Sequence, residues 1–237
     1  MMAMQAGGKT MWADEGAYPV RERLGDACAD EVLVVDIGGG AGHDLLGFRE
    51  RHPEMKGRLV LQEMPYMIEK VKAEGVCEGI VELVAHNFYG SQPVKGMSRW
   101  NSSLTKHYHP CSGEKKQKRN PANKNSTTAA HAYLFHQILH DYSDATCRQI
   151  LQQIIPAMKA GTSKILVNEL VLPDEGANWV TTSLDMGVMT CLAARERTEK
   201  EFKDLFESVG LVVQGIWKHP QGFDSVIELT LAEGREQ

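Results

Sequence analysis

From residue 32 onward, apolar runs alternate with stretches whose apolar positions recur at helical spacing. "VLVVDI" (32–37) is apolar up to its single acid, the pattern of a strand buried on both faces. "AGHDLLGFRERH" (41–52) changes to helical spacing and is stopped by Pro53. "RLVLQEM" (58–64) predicts a second strand, and "PYMIEKVKAEG" (65–75) a helix opened by Pro65 and closed by Gly75. "GIVELVAHNF" (79–88) reads as a third strand, "HAYLFHQIL" (131–139) as a fourth, and "SDATCRQILQQIIPAM" (143–158) as the helix after it. "SKILVNELVL" (163–172) is a fifth strand. A helical stretch runs from Trp179 to Ala194, then "TEKEFKDLFESVG" (198–210) forms a helix that Thr198 caps and Gly210 ends. "LVVQGIWKH" (211–219) and "FDSVIELTLA" (223–232), joined through "PQGFD", close the chain as a β-hairpin at the sheet edge.

Strand and helix thus alternate from 32 to 210, which predicts an α/β fold: a doubly wound, mostly parallel sheet with helices on both faces. Ligands of such sheets sit beyond the carboxyl ends of the strands, at the switch point beside the first strand. The loop after residue 37 and the ends of strands two to five are therefore the places for chemistry.

Two stretches fall outside this rhythm. Residues 1–17 are small and polar and are expected to be a frayed remnant. Residues 97–129, "MSRWNSSLTKHYHPCSGEKKQKRNPANKNSTTA", are basic and poor in aliphatics, too polar to order themselves by burial. So long a structureless loop is unusual in a compact domain. The segment reads as an extraneous disordered insertion, such as a translated unspliced intron, because "QPVKG" joins "AHAYLF" sensibly without it. A surface basic patch is the alternative.

Composition narrows the classes. The chain has 237 residues, 42% of them hydrophobic, enough for one α/β domain with a core. A net charge of −5 argues against a nucleic-acid partner, which needs a basic face. No apolar run approaches the ~20 residues of a membrane span, and "MMAMQAGGKTMWADEG" lacks the apolar region of a secretory signal. The five cysteines are scattered without a C-x-x-C pair, which speaks against zinc and against a disulfide framework. Reduced cysteines in a cytoplasmic protein are the expectation.

The loop Asp36-Ile37-Gly38-Gly39-Gly40-Ala41-Gly42 is D-x-G-x-G-x-G. Its glycines let backbone N–H groups approach a ligand closely. A dinucleotide loop wants a third glycine at position 43, where His43 stands, and Asp44 in the first helical turn repels a pyrophosphate. A zwitterionic amino-acid ligand suits the loop better. Glu63, at the end of the second strand, is placed to accept the hydroxyls of a ribose. S-adenosylmethionine is the preferred ligand and NAD the second; a purely structural turn is the plain alternative.

From Tyr18 to Ala232 the chain resembles the plant and fungal small-molecule O-methyltransferases of the caffeate and flavonoid type, in their fungal branch. "VDIGGGAGHDL", "LVLQEMP", "AHNF…QPVKG", "ILHDYSD", "VNELVLP" and "RERT" carry the resemblance, in the family's order. It implies a class I methyltransferase sheet of seven strands, the last antiparallel, over 18–237. It implies His140 as general base, with Glu169 and Glu196 holding its imidazole. A phenol with pKa near ~10 is a poor nucleophile until an imidazole of pKa ~6.5 removes its proton. A carboxylate on the other ring nitrogen fixes the tautomer, and no metal is needed. Taken alone, His140 reads as a polar residue at a strand end, and Glu196 in "RERTEKE" as a solvated charge.

The resemblance assigns cofactor contacts to Asp36, Gly38, Gly39, Gly40, Glu63, Asn87, Phe88 and His136. Asn87 replaces an Asp that meets the adenine amino group. His136 replaces a Lys or Arg that meets the cofactor carboxylate, which a neutral imidazole does poorly, so reduced affinity is expected. Trp179, Asp185, Met186 and Met189 fall on the helix that walls the acceptor pocket in the family, with core packing as the alternative for the methionines. Family members pair through an N-terminal helical domain that also closes the pocket; some 17 residues precede the matching region here. The expectation is thus a catalytic domain acting on a phenolic secondary metabolite, with a degenerate, non-catalytic remnant as the alternative and a NAD-dependent oxidoreductase, disfavoured by His43, third.

Overall fold

The computed structural model describes residues 11–25, 27–95, 129–192 and 194–232. The predicted insertion at 97–129 lies outside the described residues except for Ala129, as do residues 1–10.

The strands are β1 (Val32–Ile37), β2 (Arg58–Glu63), β3 (Glu82–Ala85), β4 (Ala132–His136), β5 (Lys164–Leu172), β6 (Arg197–Thr198), β7 (Leu211–Lys218) and β8 (Asp224–Leu231). Seven of them lie in the order β3-β2-β1-β4-β5-β8-β7, and the two-residue β6 pairs with the end of β5. β1 to β5 are parallel; β8 runs antiparallel between β5 and β7. This is the doubly wound sheet that the alternation predicts, closed by the expected hairpin. The strand order reverses between β1 and β4, so the glycine loop after β1 and the end of β4 meet at one rim.

Helices cover both faces. α4 (Asp144–Ile154) and α6 (Glu199–Glu207) lay Ile150, Leu151, Phe202 and Phe206 against Val35, Phe135, Val167 and Leu229. α6 begins with a full capping box between Thr198 and Glu201, which satisfies two backbone N–H groups reciprocally. On the other face, α2 (His43–Arg51) and α3 (Pro65–Glu74) bring Leu45, Phe48 and Val71 onto Leu33, Leu59, Leu61 and Leu134. α5 (Trp179–Leu192) leads from β5 towards β6. Among the described residues no helix is long and apolar enough to cross a membrane.

Three expectations need correction, and one element was missed. Strand three is only Glu82–Ala85, because the chain is still turning at Gly79, whose φ is +73°. Strand four stops at His136, because Gln137 takes φ +53° and swings the chain into a 3-10 turn over Leu139–Asp141. A short helix, α1 (Val20–Leu24), was not legible in the pattern.

The third correction concerns 11–17, which do not fray. Trp12 is 2% exposed and stacks on Phe48 at 5.4 Å. Just beyond, the Tyr18 hydroxyl donates to Glu228 Oε2 at 2.5 Å, and Arg23 donates to both oxygens of the same carboxylate. Glu228 is fully buried on β8, so these donors compensate a charge that would otherwise be costly. A segment held by a few large side chains carries no periodicity, which is why its polar composition misled.

Candidate functional site

Gly38, Gly40 and Gly42 take φ of +73°, +58° and +80°, conformations that L side chains rarely adopt, and Gly42 is the N-cap of α2. Gly39 is glycine for a different reason. A Cβ there would stand 2.0 Å from Asp36 Oδ2, so the loop lies directly on the Asp36 carboxylate. Asp36 is fully buried, and among the described residues neither of its oxygens has a hydrogen-bond partner. Burial first, then the nearby Asp44 carboxylate, pushes its pKa well above the usual range, against the pull of His136. A buried, unpartnered acid roofed by bare backbone is a seat for a cationic group.

Around this seat, Glu63 accepts from Gly40 N–H at 3.3 Å and Met64 N–H at 2.6 Å, which holds its carboxylate against the loop. Phe88 packs edge-on to Tyr142 at 5.9 Å and stands 3.9 Å from where a Cβ on Gly38 would lie. Asn87 is exposed and its side-chain oxygen already accepts from Tyr89 N–H at 3.0 Å.

His136 corrects the expectation of a neutral imidazole. Its Nδ1 is 2.7 Å from Asp44 and its Nε2 is 3.6 Å from Asp224. Burial opposes its charge, but the two carboxylates prevail and raise the pKa to about 10. The folded value exceeds the ordinary 6.5, so this group's stabilisation is complete below 6.5 and is lost as pH rises through about 10. We expect the melting temperature to fall across that window, and to fall less in Asp224→Asn; equal slopes in the two proteins would refute the ion cluster.

The second half of the site lies one strand further along the rim. His140 Nδ1 is 3.0 Å from Glu196 Oε1, and its Nε2 is 3.3 Å from Asp141 Oδ1. Burial disfavours the imidazolium, yet Glu196, Glu169 and Asp141 together raise its pKa above the usual value. Glu169 does not hold the ring as the resemblance implied. Its Oε1 accepts from the N–H groups of Ile138 (3.1 Å) and Leu139 (2.5 Å), fixing the turn that carries His140, and among the described residues its Oε2 has no hydrogen-bond partner. Burial lifts the Glu169 pKa to about 7 despite the His140 charge and the Leu139 N–H.

On α5, Trp179, Met186 and Met189 are exposed. Asp185 accepts from Glu196 N–H at 2.9 Å and so supports the residue that holds the imidazole. Sequence reasoning missed Arg197, which is buried against the His140 turn. In "RERTEKE" it is indistinguishable from its solvated neighbours, and no local signal marks it.

A switch-point glycine loop roofing a buried acid, an acid at the next strand end and the antiparallel β8 together define a class I methyltransferase fold. The chain belongs to the fungal S-adenosylmethionine-dependent O-methyltransferase family. The family model described as O-methyltransferase domain matches residues 121–212. Demethylsterigmatocystin 6-O-methyltransferase of Emericella nidulans is 34% identical over 215 residues, covering 90% of this chain and 84% of that protein. O-methyltransferase mpaG of Penicillium roqueforti is 33% identical over 234 residues, 98% of this chain but 50% of its own length. Among solved structures, LepI in complex with SAM superposes with a TM-score of 0.71 at 28% identity, over 91% of this chain and 47% of that one. The chain therefore spans about half the length of mpaG and of LepI.

Proposed function

We propose that residues 18–237 form the catalytic domain of an S-adenosylmethionine-dependent O-methyltransferase that methylates a hydroxyl of a small phenolic metabolite in the cytoplasm, with His140 as general base. The observation that carries the reading is the pairing of two features on one rim: the unpartnered Asp36 carboxylate beneath the glycine loop, and the His140–Glu196 pair beyond β4.

The residues present fit the cofactor. Asp36 would take its ammonium, Gly38–Gly40 would admit it without side chains, Glu63 would accept from its ribose, and Asn87, Phe88 and His136 would bound the rest. When bound, it supplies a methyl group already activated on a sulfonium. The protein's own work is then alignment and proton removal. Glu196 on Nδ1 fixes the tautomer that leaves Nε2, which lies 3.3 Å from Asp141, unprotonated and able to accept the hydroxyl proton, and it steadies the imidazolium that results. Burial of the pair strengthens that support. Pairing of two copies through an N-terminal helical domain, as the resemblance implies, belongs to the same proposal.

One observation favours a second reading, weak binding without turnover. His136 stands where the family places a cation, and Asp44 and Asp224 already neutralise it. Calorimetry with S-adenosylhomocysteine and NAD, followed by transfer of labelled methyl to phenolic acceptors, separates the cases. Tight binding of the former with transfer is the expected outcome. Weak binding without transfer supports the second reading, and binding of NAD alone would overturn both.

A further inference from the structure

We propose that Arg197 is a positioning residue for His140, a buried clamp that holds the turn carrying the imidazole while its neighbour Glu196 holds the ring. Arg197 is 1% exposed, and its guanidinium is spent almost wholly on that turn. It donates to Leu139 O at 2.9 Å, to Tyr142 O at 2.7 Å, and to Asp144 Oδ1 from two nitrogens at 3.1 and 2.9 Å. These acceptors bracket His140 on both sides. Leu139 is gripped twice, its N–H by Glu169 and its C=O by Arg197. The pairing of Arg197–Thr198 with Val171–Leu172 ties the clamp to β5, and the Phe202 ring lies 5.9 Å from the guanidinium carbon.

A rigid planar fork suits acceptors spread along a turn; a lysine ammonium, a point charge on a flexible stem, serves fewer of them. Residues 196 and 197 are adjacent, so a shift of this short segment moves the carboxylate on the ring and the clamp on the backbone together. The imidazole cannot keep its aim if the segment slips. The charged groups that act on His140 are Glu196, Glu169 and Asp141, and Arg197 acts in turn on Glu169. Arg197→Lys keeps the charge count among them and removes only the geometry.

The inference rests on the reading of His140 as the base, and its test separates the two. Arg197→Lys is prepared in the full chain, and its His140 imidazole is titrated by NMR with labelled histidine. S-adenosylhomocysteine affinity is measured by calorimetry, and kcat and KM by methyl transfer. The expected result is unchanged cofactor affinity, kcat lower by roughly 10²-fold from a displaced base, little change in acceptor KM, and His140 titrating at lower pH as its tie to Glu196 loosens. A folded Arg197→Lys protein with wild-type kcat and wild-type His140 titration would overturn the clamp. Should Arg197→Lys fail to fold, Asp144→Asn decides the matter, because it weakens the fork and leaves the carbonyl bonds. A smaller shift of the same sign supports the clamp, and no shift overturns it. The titration is readable without turnover, so failure of the base assignment, seen as full activity in a variant lacking His140, stays distinguishable.

Discussion

Replacing His140 with alanine is expected to lower methyl transfer by about 10²–10⁴-fold, the usual contribution of a positioned general base, while S-adenosylhomocysteine binds nearly as before. The separation follows from the layout. His140 sits in the turn after β4 and bonds Glu196, whereas the cradle is built from the loop after β1 and the end of β2. The pH profile adds a second check. On the proposed mechanism catalysis needs the neutral imidazole, and the surrounding carboxylates raise its pKa against the effect of burial. The acidic limb of kcat/KM should therefore lie above the ordinary imidazole value, activity rising with pH through it. Glu196→Gln removes a hydrogen-bonded charge from Nδ1, so the limb should move to lower pH while the plateau drops. Full turnover in His140→Ala, or a limb unmoved by Glu196→Gln, would rule out the assignment.

Asp36→Asn is expected to act in opposite directions on stability and binding. The Asp36 carboxyl is fully buried with both oxygens unpartnered among the described residues, so what suits the ligand burdens the fold. Its folded pKa is raised, so its contribution to stability is full below the unfolded carboxylate value near ~3.9 and is lost as pH climbs through the folded value. Above that unfolded value the native carboxyl thus burdens the fold, and the amide removes that burden. Melting of the unliganded variant should move up and become flatter with pH, while affinity for S-adenosylhomocysteine falls more than about tenfold, as expected when a charge-assisted hydrogen bond of roughly 1.5–3 kcal/mol is lost. Gly39→Ala makes a control. Its Cβ would strike the same carboxylate at 2.0 Å, so it should lose both binding and stability. An Asp36→Asn protein that binds as well as the parent would remove the acid from the cofactor seat.

Much of the candidate site was legible because its signals are local. The glycines at 38, 40 and 42 sit where the backbone needs positive φ, and the strand-loop-helix order around them put the loop on the correct rim. His140 and Glu196 came from motif resemblance, and the fold brings them to 3.0 Å across 56 positions of chain. Glu169 was assigned to the imidazole by the resemblance, but in the structure it serves the backbone of the turn rather than the ring. His136 was expected to be neutral, since nothing near it in sequence announces that Asp44 and Asp224 flank it. Trp12 looked like part of a frayed end because one aromatic in a polar stretch carries no period.

By itself, then, the amino-acid order determined the alternation of elements, the parallel sheet and the side-chain-free bend, all of which depend on neighbours within one or two turns of chain. Only the tertiary structure decided which charges pair, which carboxylates stay unpartnered and which arginine is buried. Those properties follow from distance and exclusion of water between residues far apart in sequence, and neither quantity is written in local spacing.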